Sequence, residues 1–285
     1  MRSVGAVIPL VAGIAIATLN VYHPAVPISP KTVAAPPASH TLVLTAHDYA
    51  FSGLPTRVSA GWVTVRMINA GKELHMFASV SVPAGMTTAS LLDSLLRGNS
   101  TKDLTEWGGP NAVAPGDTAT VTMFLPAGKY AVGCFVDSPD GKTHFMKGML
   151  GSFEVVASTD KGVPPVSDRT ALLSTYAIAM DGGALTKGSH VIAVRNTTKA
   201  THDLLVLKVL PGHTAAQAFK WLENPYVGSP AAVPIGGTTG IHLDETTYVQ
   251  ARFTPGTYIL VCMMSTNHKR HFMLGMKKVI TVSAT

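Results

Sequence analysis

Charged residues are scarce in this chain. Asp, Glu, Lys and Arg together make up 13% of it, whereas soluble domains usually carry about 25%. The net charge of +6 is small and scattered, and no Arg-rich helix or aromatic stacking motif accompanies it, so we expect no nucleic-acid partner. Polarity must therefore come mainly from Ser, Thr, Gly and Asn, a balance that suits an all-β protein outside the cytoplasm.

Cysteine is equally scarce, with Cys134 and Cys262 as the two examples. A cysteine pair in an exported protein would ordinarily be interpreted as a disulfide. These two, however, occupy equivalent positions of the internal repeat described below. Equivalent positions in two separate cores lie too far apart for the Cα separation of below about 7 Å that a disulfide requires. We therefore expect two free thiols.

Motifs for common catalytic chemistry are also missing. The chain contains no nucleophile motif, no Gly-rich phosphate-binding loop and no acidic metal cluster. The sequence accordingly predicts no catalytic residues.

The N-terminus is the longest apolar run. Residues 4–21 are almost wholly apolar and follow a single Arg2. A signal peptide is one interpretation, because Ala15-Ile16-Ala17 resembles an A-x-A cleavage site. A membrane anchor is the other, because about 18 to 20 apolar residues cross a bilayer. Residues 23–39 are rich in Pro and Ala and read as a semi-rigid tether, which favours the anchor. Either interpretation of residues 1–22 predicts an exported, periplasmic protein, and the anchor would hold it at the membrane.

The remainder is an internal duplication. The segment from Asn69 to His75 recurs from Asn196 to His202, and Phe124-Leu-Pro-Ala-Gly-Lys-Tyr recurs as Phe253-Thr-Pro-Gly-Thr-Tyr. His-Phe-Met-x-Gly-Met occurs twice as well. The offset is 127 or 128 residues throughout, which indicates a repeated unit. We predict one domain over residues 40–157, a linker over 158–167 and a second domain over 168–285.

Each unit reads as short strands with one helix. Runs such as Trp62 to Asn69 and His190 to Asn196 are apolar or alternate between turn residues. Helical spacing of apolar residues predicts a helix over Thr87 to Arg97 and another over Thr214 to Leu222. Many short strands and one helix per unit predict an all-β fold of two tandem Greek-key β-sandwich or barrel domains, preceded by an N-terminal hydrophobic helix.

Each unit also repeats one set of potential metal ligands. A His lies near the start of a strand, and a lone Cys ends the penultimate strand about 60 residues later. A loop then supplies a second His and a Met. The spacing is Cys134-x9-His144-x4-Met149 in the first unit and Cys262-x8-His271-x4-Met276 in the second. This arrangement resembles the cupredoxin, or blue-copper, family, and the second spacing is similar to that of the type 1 site of copper nitrite reductases.

The resemblance implies a role for each ligand. A thiolate and two imidazoles in a plane, with a long axial thioether, suit copper in both redox states. It implies one or two type 1 copper sites, with equatorial and axial ligands His75, Cys134, His144 and Met149 in the first unit and His202, Cys262, His271 and Met276 in the second. Asn69 and Asn196 would pin the loops that carry the first His of each set.

Several alternatives stay open at this point. His268 competes with His271 as a ligand in the second unit. Met146 and Met273 are extra thioethers that suit either packing or a site for cuprous copper. One unit could also bind metal while the other serves only as a scaffold.

The resemblance also bears on catalysis. Multicopper oxidases and nitrite reductases add a second copper centre, which needs His-x-His pairs or a His beside the ligand Cys. None of the 11 His residues forms such a pair, and no His flanks either Cys. The sequence therefore predicts that the protein is not an enzyme.

The function expected is that of an exported, membrane-tethered copper protein in electron transfer. Its partner would be a redox protein or a membrane electron-transfer complex. The alternative is a copper-free structural subunit of a membrane-bound respiratory or photosynthetic complex. A third interpretation, a copper chaperone or sensor, would use the paired methionines.

Overall fold

A computed structural model describes residues 40–98, 104–225 and 228–284, which belong to one compact unit. The predicted leader or anchor over residues 1–22 and the tether over residues 23–39 lie outside the described residues. Within the described ranges, no helix has the length and apolar character needed to cross a bilayer.

Strands dominate the described chain. They are β1 (Thr41–His47), β2 (Ala50–Ser52), β3 (Arg57–Ser59), β4 (Gly61–Asn69), β5 (Ala78–Ser81), β6 (Glu106–Gly108), β7 (Thr118–Leu125), β8 (Gly128–Gly133), β9 (Leu150–Val156), β10 (Arg169–Ser174), β11 (Ala177–Asp181), β12 (Gly188–Asn196), β13 (His202–Val209), β14 (Ala232–Ile241), β15 (Thr246–Phe253), β16 (Gly256–Val261), β17 (Ser265–Thr266), β18 (Lys269–Arg270) and β19 (Lys277–Val282). The helices are α1 (Thr88–Leu96), α2 (Ala215–Glu223) and two short 3₁₀ helices, Phe145–Lys147 and His271–Leu274.

The two helices begin where the sequence supplies caps. The Thr87 hydroxyl accepts from the peptide N–H of Ser90, and the Ser90 hydroxyl accepts from the peptide N–H of Thr87. Thr214 and Gln217 form the same reciprocal pair at the start of α2. Each pair satisfies two N–H groups that the first helical turn leaves free. Both helix predictions are confirmed to within two residues.

Two large sheets are continuous through both halves of the chain. One has the order β11-β10-β12-β15-β7-β4-β1-β2, and the other has the order β19-β16-β13-β14-β6-β5-β8-β9-β3. The halves meet where β15 pairs with β7 and where β14 pairs with β6. The short runs β6 and β14 were missed by the sequence analysis, although both carry this junction.

Each half keeps its own core between the two sheets. Alternation puts Leu42, Leu44 and Ala46 of β1 inside the first core, because successive side chains of a strand point to opposite faces. The second core is built in the same way around Leu173 and Phe253. The predicted fold class is therefore confirmed for the described residues: the chain is an all-β, cupredoxin-like double sandwich with one α-helix in each half.

A repeated Gly-Gly pair allows the halves to approach. The peptide N–H of Asn111 donates to the Gly237 carbonyl at 3.0 Å, and that of Thr239 donates to the Gly109 carbonyl at 2.8 Å. These exchanges are reciprocal because Gly109 and Gly237 stand 128 residues apart, at the offset of the duplication. Both glycines have positive φ, +138° and +136°, which disfavours any other residue.

Candidate metal centres

The eight predicted ligands gather into two buried groups. His75, Cys134 and His144 form the first group, which we call site 1, together with Met149. His202, Cys262 and His271 form site 2, together with Met276. All eight side chains are at most 2% exposed.

Site 1 brings three donor atoms to one point. The Nδ1 atoms of His75 and His144 are 3.0 Å apart, and the Cys134 Sγ lies 3.9 Å from the former and 3.4 Å from the latter. A metal ion in a trigonal plane, about 2.0 Å from nitrogen and about 2.3 Å from sulfur, would separate these atoms by about 3.5 to 3.7 Å. The donor set therefore fits a metal ion.

Site 2 repeats this geometry. The Nδ1 atoms of His202 and His271 are 3.1 Å apart. The Cys262 Sγ lies 3.7 Å from the first and 3.4 Å from the second. The same trigonal arrangement fits.

The polypeptide between each Cys and Met folds back on itself. Cys134 donates its peptide N–H to the Met149 carbonyl at 3.1 Å, and Met149 donates to the His144 carbonyl at 2.9 Å. Cys262, Met276 and His271 make the equivalent bonds at 3.2 and 3.0 Å. The turn that carries the second His thus places the Met beside it before the last strand of each half begins.

The alternative ligands lie elsewhere. His268 is exposed at a positive φ of 61° and does not belong to either of the described donor groups. Met146 and Met273 are 58% and 43% exposed. The structure therefore leaves these three side chains outside both groups.

Burial controls the protonation of the sulfur ligands. It raises the pKa of the Cys134 thiol to about 11, and it raises the pKa of Cys262 further. Both thiols are therefore protonated at neutral pH without a metal, and binding of a cation releases the proton.

The sequence analysis missed two carboxylates behind site 1. Asp48 Oδ1 lies 2.9 Å from His75 Nε2, and Glu73 Oε2 lies 2.9 Å from His144 Nε2. Burial works against ionisation of Glu73, but hydrogen bonds from Tyr49 and His144 outweigh it and lower the pKa of Glu73. Comparison of the repeats gives the signal that was overlooked, because Thr175 and Ala200 stand at the matching positions 127 residues on.

The two predicted asparagines do brace the ligand loops. The Asn69 side-chain amide donates to the carbonyls of Glu73 and Val113 at 2.8 and 2.9 Å, and its oxygen accepts from Gly71 N–H at 2.9 Å. Asn196 makes the same three kinds of contact in the second half. Each buried amide therefore fixes the segment that precedes the first His of its site.

A cavity of about 710 Å³ lies between the halves. Its walls include Met76 and Asp203, whose peptide N–H groups point at Cys134 Sγ and Cys262 Sγ from 3.4 and 3.5 Å. One residue thus separates the cavity from each sulfur. Glu106 lines the same space, where burial and the charge of Asp203 raise the pKa of its carboxyl group to about 7.

Replacing Glu106 by Gln is expected to stabilise the protein at neutral and higher pH. The unfolded group ionises near pH 4.5, whereas the folded group ionises at about pH 7. The stability therefore falls as pH rises from 4.5 to 7, by about 2 to 3 kcal/mol for this group. Urea unfolding of Glu106→Gln from pH 4 to 8 should show a weaker fall than the wild type.

Some of the fall will remain in Glu106→Gln, because burial also raises the pKa of Glu245 to about 7. The exposed Glu154 provides the matched control, since Glu154→Gln should leave the pH profile unchanged. Identical profiles for wild type and Glu106→Gln would contradict the assigned pKa.

No protein-family model matches the chain, and no curated protein sequence matches it significantly. Solved structures do resemble it. The auracyanin of Roseiflexus castenholzii is 20% identical, with 42% of this chain and 99% of that one covered at a TM-score of 0.31. The blue copper oxidase of Nitrosomonas europaea is 18% identical, with 86% of each chain covered at a TM-score of 0.27. The copper nitrite reductase of Thermus scotoductus is 13% identical, covering 87% of this chain and 62% of that one at a TM-score of 0.26.

These likenesses correct one prediction. The sequence analysis excluded an enzyme, but the similar structures include an oxidase and a nitrite reductase, which are enzymes. The exclusion was wrong because it rested on missing His pairs alone. For the assignment of the sites, the side-chain geometry is the evidence. Two His-Cys-His groups in a double β-sandwich fit a two-domain, cupredoxin-like protein with one or two copper sites.

Proposed function

We propose that the protein binds copper at both sites and transfers electrons one at a time. One observation carries the proposal: two buried imidazole nitrogens and one buried sulfur converge on a single point, twice in one chain. The ligands would be His75, Cys134, His144 and Met149 at site 1 and His202, Cys262, His271 and Met276 at site 2. Thiolate, imidazole and thioether together favour copper over harder cations.

Bound copper would supply one-electron redox chemistry. The protein's contribution is a rigid and dry donor set. All eight side chains are buried, and backbone hydrogen bonds tie each Cys, second His and Met into one turn. A donor set that cannot rearrange keeps nearly the same geometry in both oxidation states, so electron transfer needs little reorganisation.

The proposal includes a location and a partner. The apolar residues 4–21 and the Pro/Ala-rich residues 23–39 support export to the periplasm and attachment to the membrane. The electron partner would then be a redox protein or a membrane electron-transfer complex. Fractionation of cells that produce the full-length protein should recover it with the membranes, and release by salt alone would argue against an anchor.

The decisive experiment is a copper titration of the full-length protein. Addition of Cu(II) should produce an intense thiolate-to-copper absorption in the visible region that saturates at two copper ions per chain. Ascorbate should bleach it and ferricyanide should restore it. A folded, reduced protein that binds no copper would overturn the proposal and would support the copper-free structural subunit.

A further inference from the structure

The two centres differ in what holds the outer edge of each imidazole. At site 1, His75 Nε2 lies 2.9 Å from an Asp48 oxygen and His144 Nε2 lies 2.9 Å from a Glu73 oxygen. Both acids are themselves fixed. Asp48 accepts from the peptide of Lys72 at 3.0 Å, and Glu73 accepts from the Tyr49 and Ser138 hydroxyl groups at 2.8 and 3.0 Å.

Site 2 has no carboxylate on either imidazole among the described residues. His271 Nε2 lies 2.8 Å from the Thr266 hydroxyl, and His202 Nε2 is buried without a hydrogen-bond partner in the described ranges. The carboxyl group near this site belongs to Asp203, which lies on the thiolate side. It accepts from the peptide of Met263 at 2.7 Å and from the side chain of Asn111 at 3.3 Å.

This difference arises from the duplication itself. Thr175 and Ala200 stand where the first half has Asp48 and Glu73, whereas Tyr49 is matched by Tyr176. Both tyrosines still pack edge-on against the second His of their site, at 5.0 and 5.2 Å between ring centres. The surroundings of the two sites are therefore conserved within the chain except for the two charges.

A carboxylate on the outer nitrogen makes an imidazole a stronger donor. Stronger donors and added negative charge stabilise Cu(II) more than Cu(I), because Cu(II) carries the larger positive charge. Site 1 has this support on both imidazoles and site 2 on neither. The reduction potential of site 1 should therefore be the lower of the two.

A chain of bonds links the two centres. The His75 carbonyl accepts from Val113 N–H at 3.1 Å, and Val113 is two residues from Asn111. The Asn111 amide donates to Asp203 at 3.3 Å, and the Asp203 peptide donates to Cys262 Sγ at 3.5 Å. Only covalent bonds and three hydrogen bonds thus separate a ligand of site 1 from the sulfur of site 2.

We propose that the two sites form a directional relay, in which Asp48 and Glu73 set site 1 as the electron entry and site 2 as the electron acceptor. This inference rests on the proposed function. One electron passes from reduced site 1 to oxidised site 2, so that site 1 is oxidised and site 2 reduced, with no atom transferred. Asp48 and Glu73 act here as positioning residues.

The test is a redox titration of the full-length protein loaded with two copper ions, followed by visible absorption and electron paramagnetic resonance. Cys262→Ser isolates the signal of site 1, and Cys134→Ser isolates that of site 2. One reducing equivalent should bleach site 2 first. A tenfold difference in reduction equilibrium constant, which is about 59 mV for one electron, is the smallest separation expected.

Removing a carboxylate should narrow this separation. Glu73→Gln should raise the midpoint of site 1 and leave that of site 2 unchanged, and Asp48→Asn provides a second, independent variant. Glu154→Gln, an exposed substitution in the same half, should change neither. Two coloured sites with equal midpoints, or with site 1 the higher, would overturn the relay alone. Failure to bind copper would overturn both the relay and the proposed function.

Discussion

Cys134→Ser is expected to abolish the visible absorption of site 1 and to leave site 2 intact. The absorption arises from the copper–thiolate bond, and a serine hydroxyl is too hard and too weakly acidic to replace it. The single variant should retain about half of the wild-type intensity, since each site contributes one thiolate. Cys262→Ser should do the same in the opposite sense, and the double variant should be colourless. Absorption spectra with metal analysis measure this directly.

The exposed methionines provide the control. Met146→Leu and Met273→Leu alter thioethers that lie outside both donor groups, so they should leave colour and copper content unchanged. A loss of copper in these variants, with colour unaffected by the cysteine variants, would instead favour the chaperone interpretation. Circular dichroism should confirm that each cysteine variant is folded.

Gly237→Ala is expected to cause the largest loss of stability. A Cβ at this position would overlap the backbone carbonyl oxygen of Leu204, which belongs to the neighbouring strand β13 and cannot move aside. The φ of +136° adds strain. Together these effects should lower the free energy of unfolding by about 3 to 5 kcal/mol, as measured by urea unfolding at pH 7.

Gly188 separates the two contributions. Its φ is +133°, but a Cβ there meets no atom within 4 Å. Gly188→Ala should therefore show the backbone strain alone, about 1 to 3 kcal/mol. Equal losses in the two variants would mean that the close approach of the two halves at Gly237 has no cost of its own.

Much of the architecture is local information. Asn69, His75 and Cys134 recur at a constant offset, and this repetition alone predicts two equivalent units with two equivalent donor sets. Thr87 and Thr214 mark the helix starts because their hydroxyls bond to residues only three positions away. The alternation in β1 predicts its buried face for the same reason, since the period of a strand is a property of the local backbone.

The tertiary structure decided what depends on distant contacts. Whether Asp48 reaches His75, 27 residues away, depends on how β1 and β4 pair, and no local pattern marks it. The short strands β6 and β14 carry few apolar residues in a regular pattern, yet they join the halves because Gly109 and Gly237 allow close approach. The sequence by itself determined the two sets of ligands. The packing of the sheets decided that the sites have unequal surroundings, because a hydrogen bond forms only where the completed fold brings its two partners together.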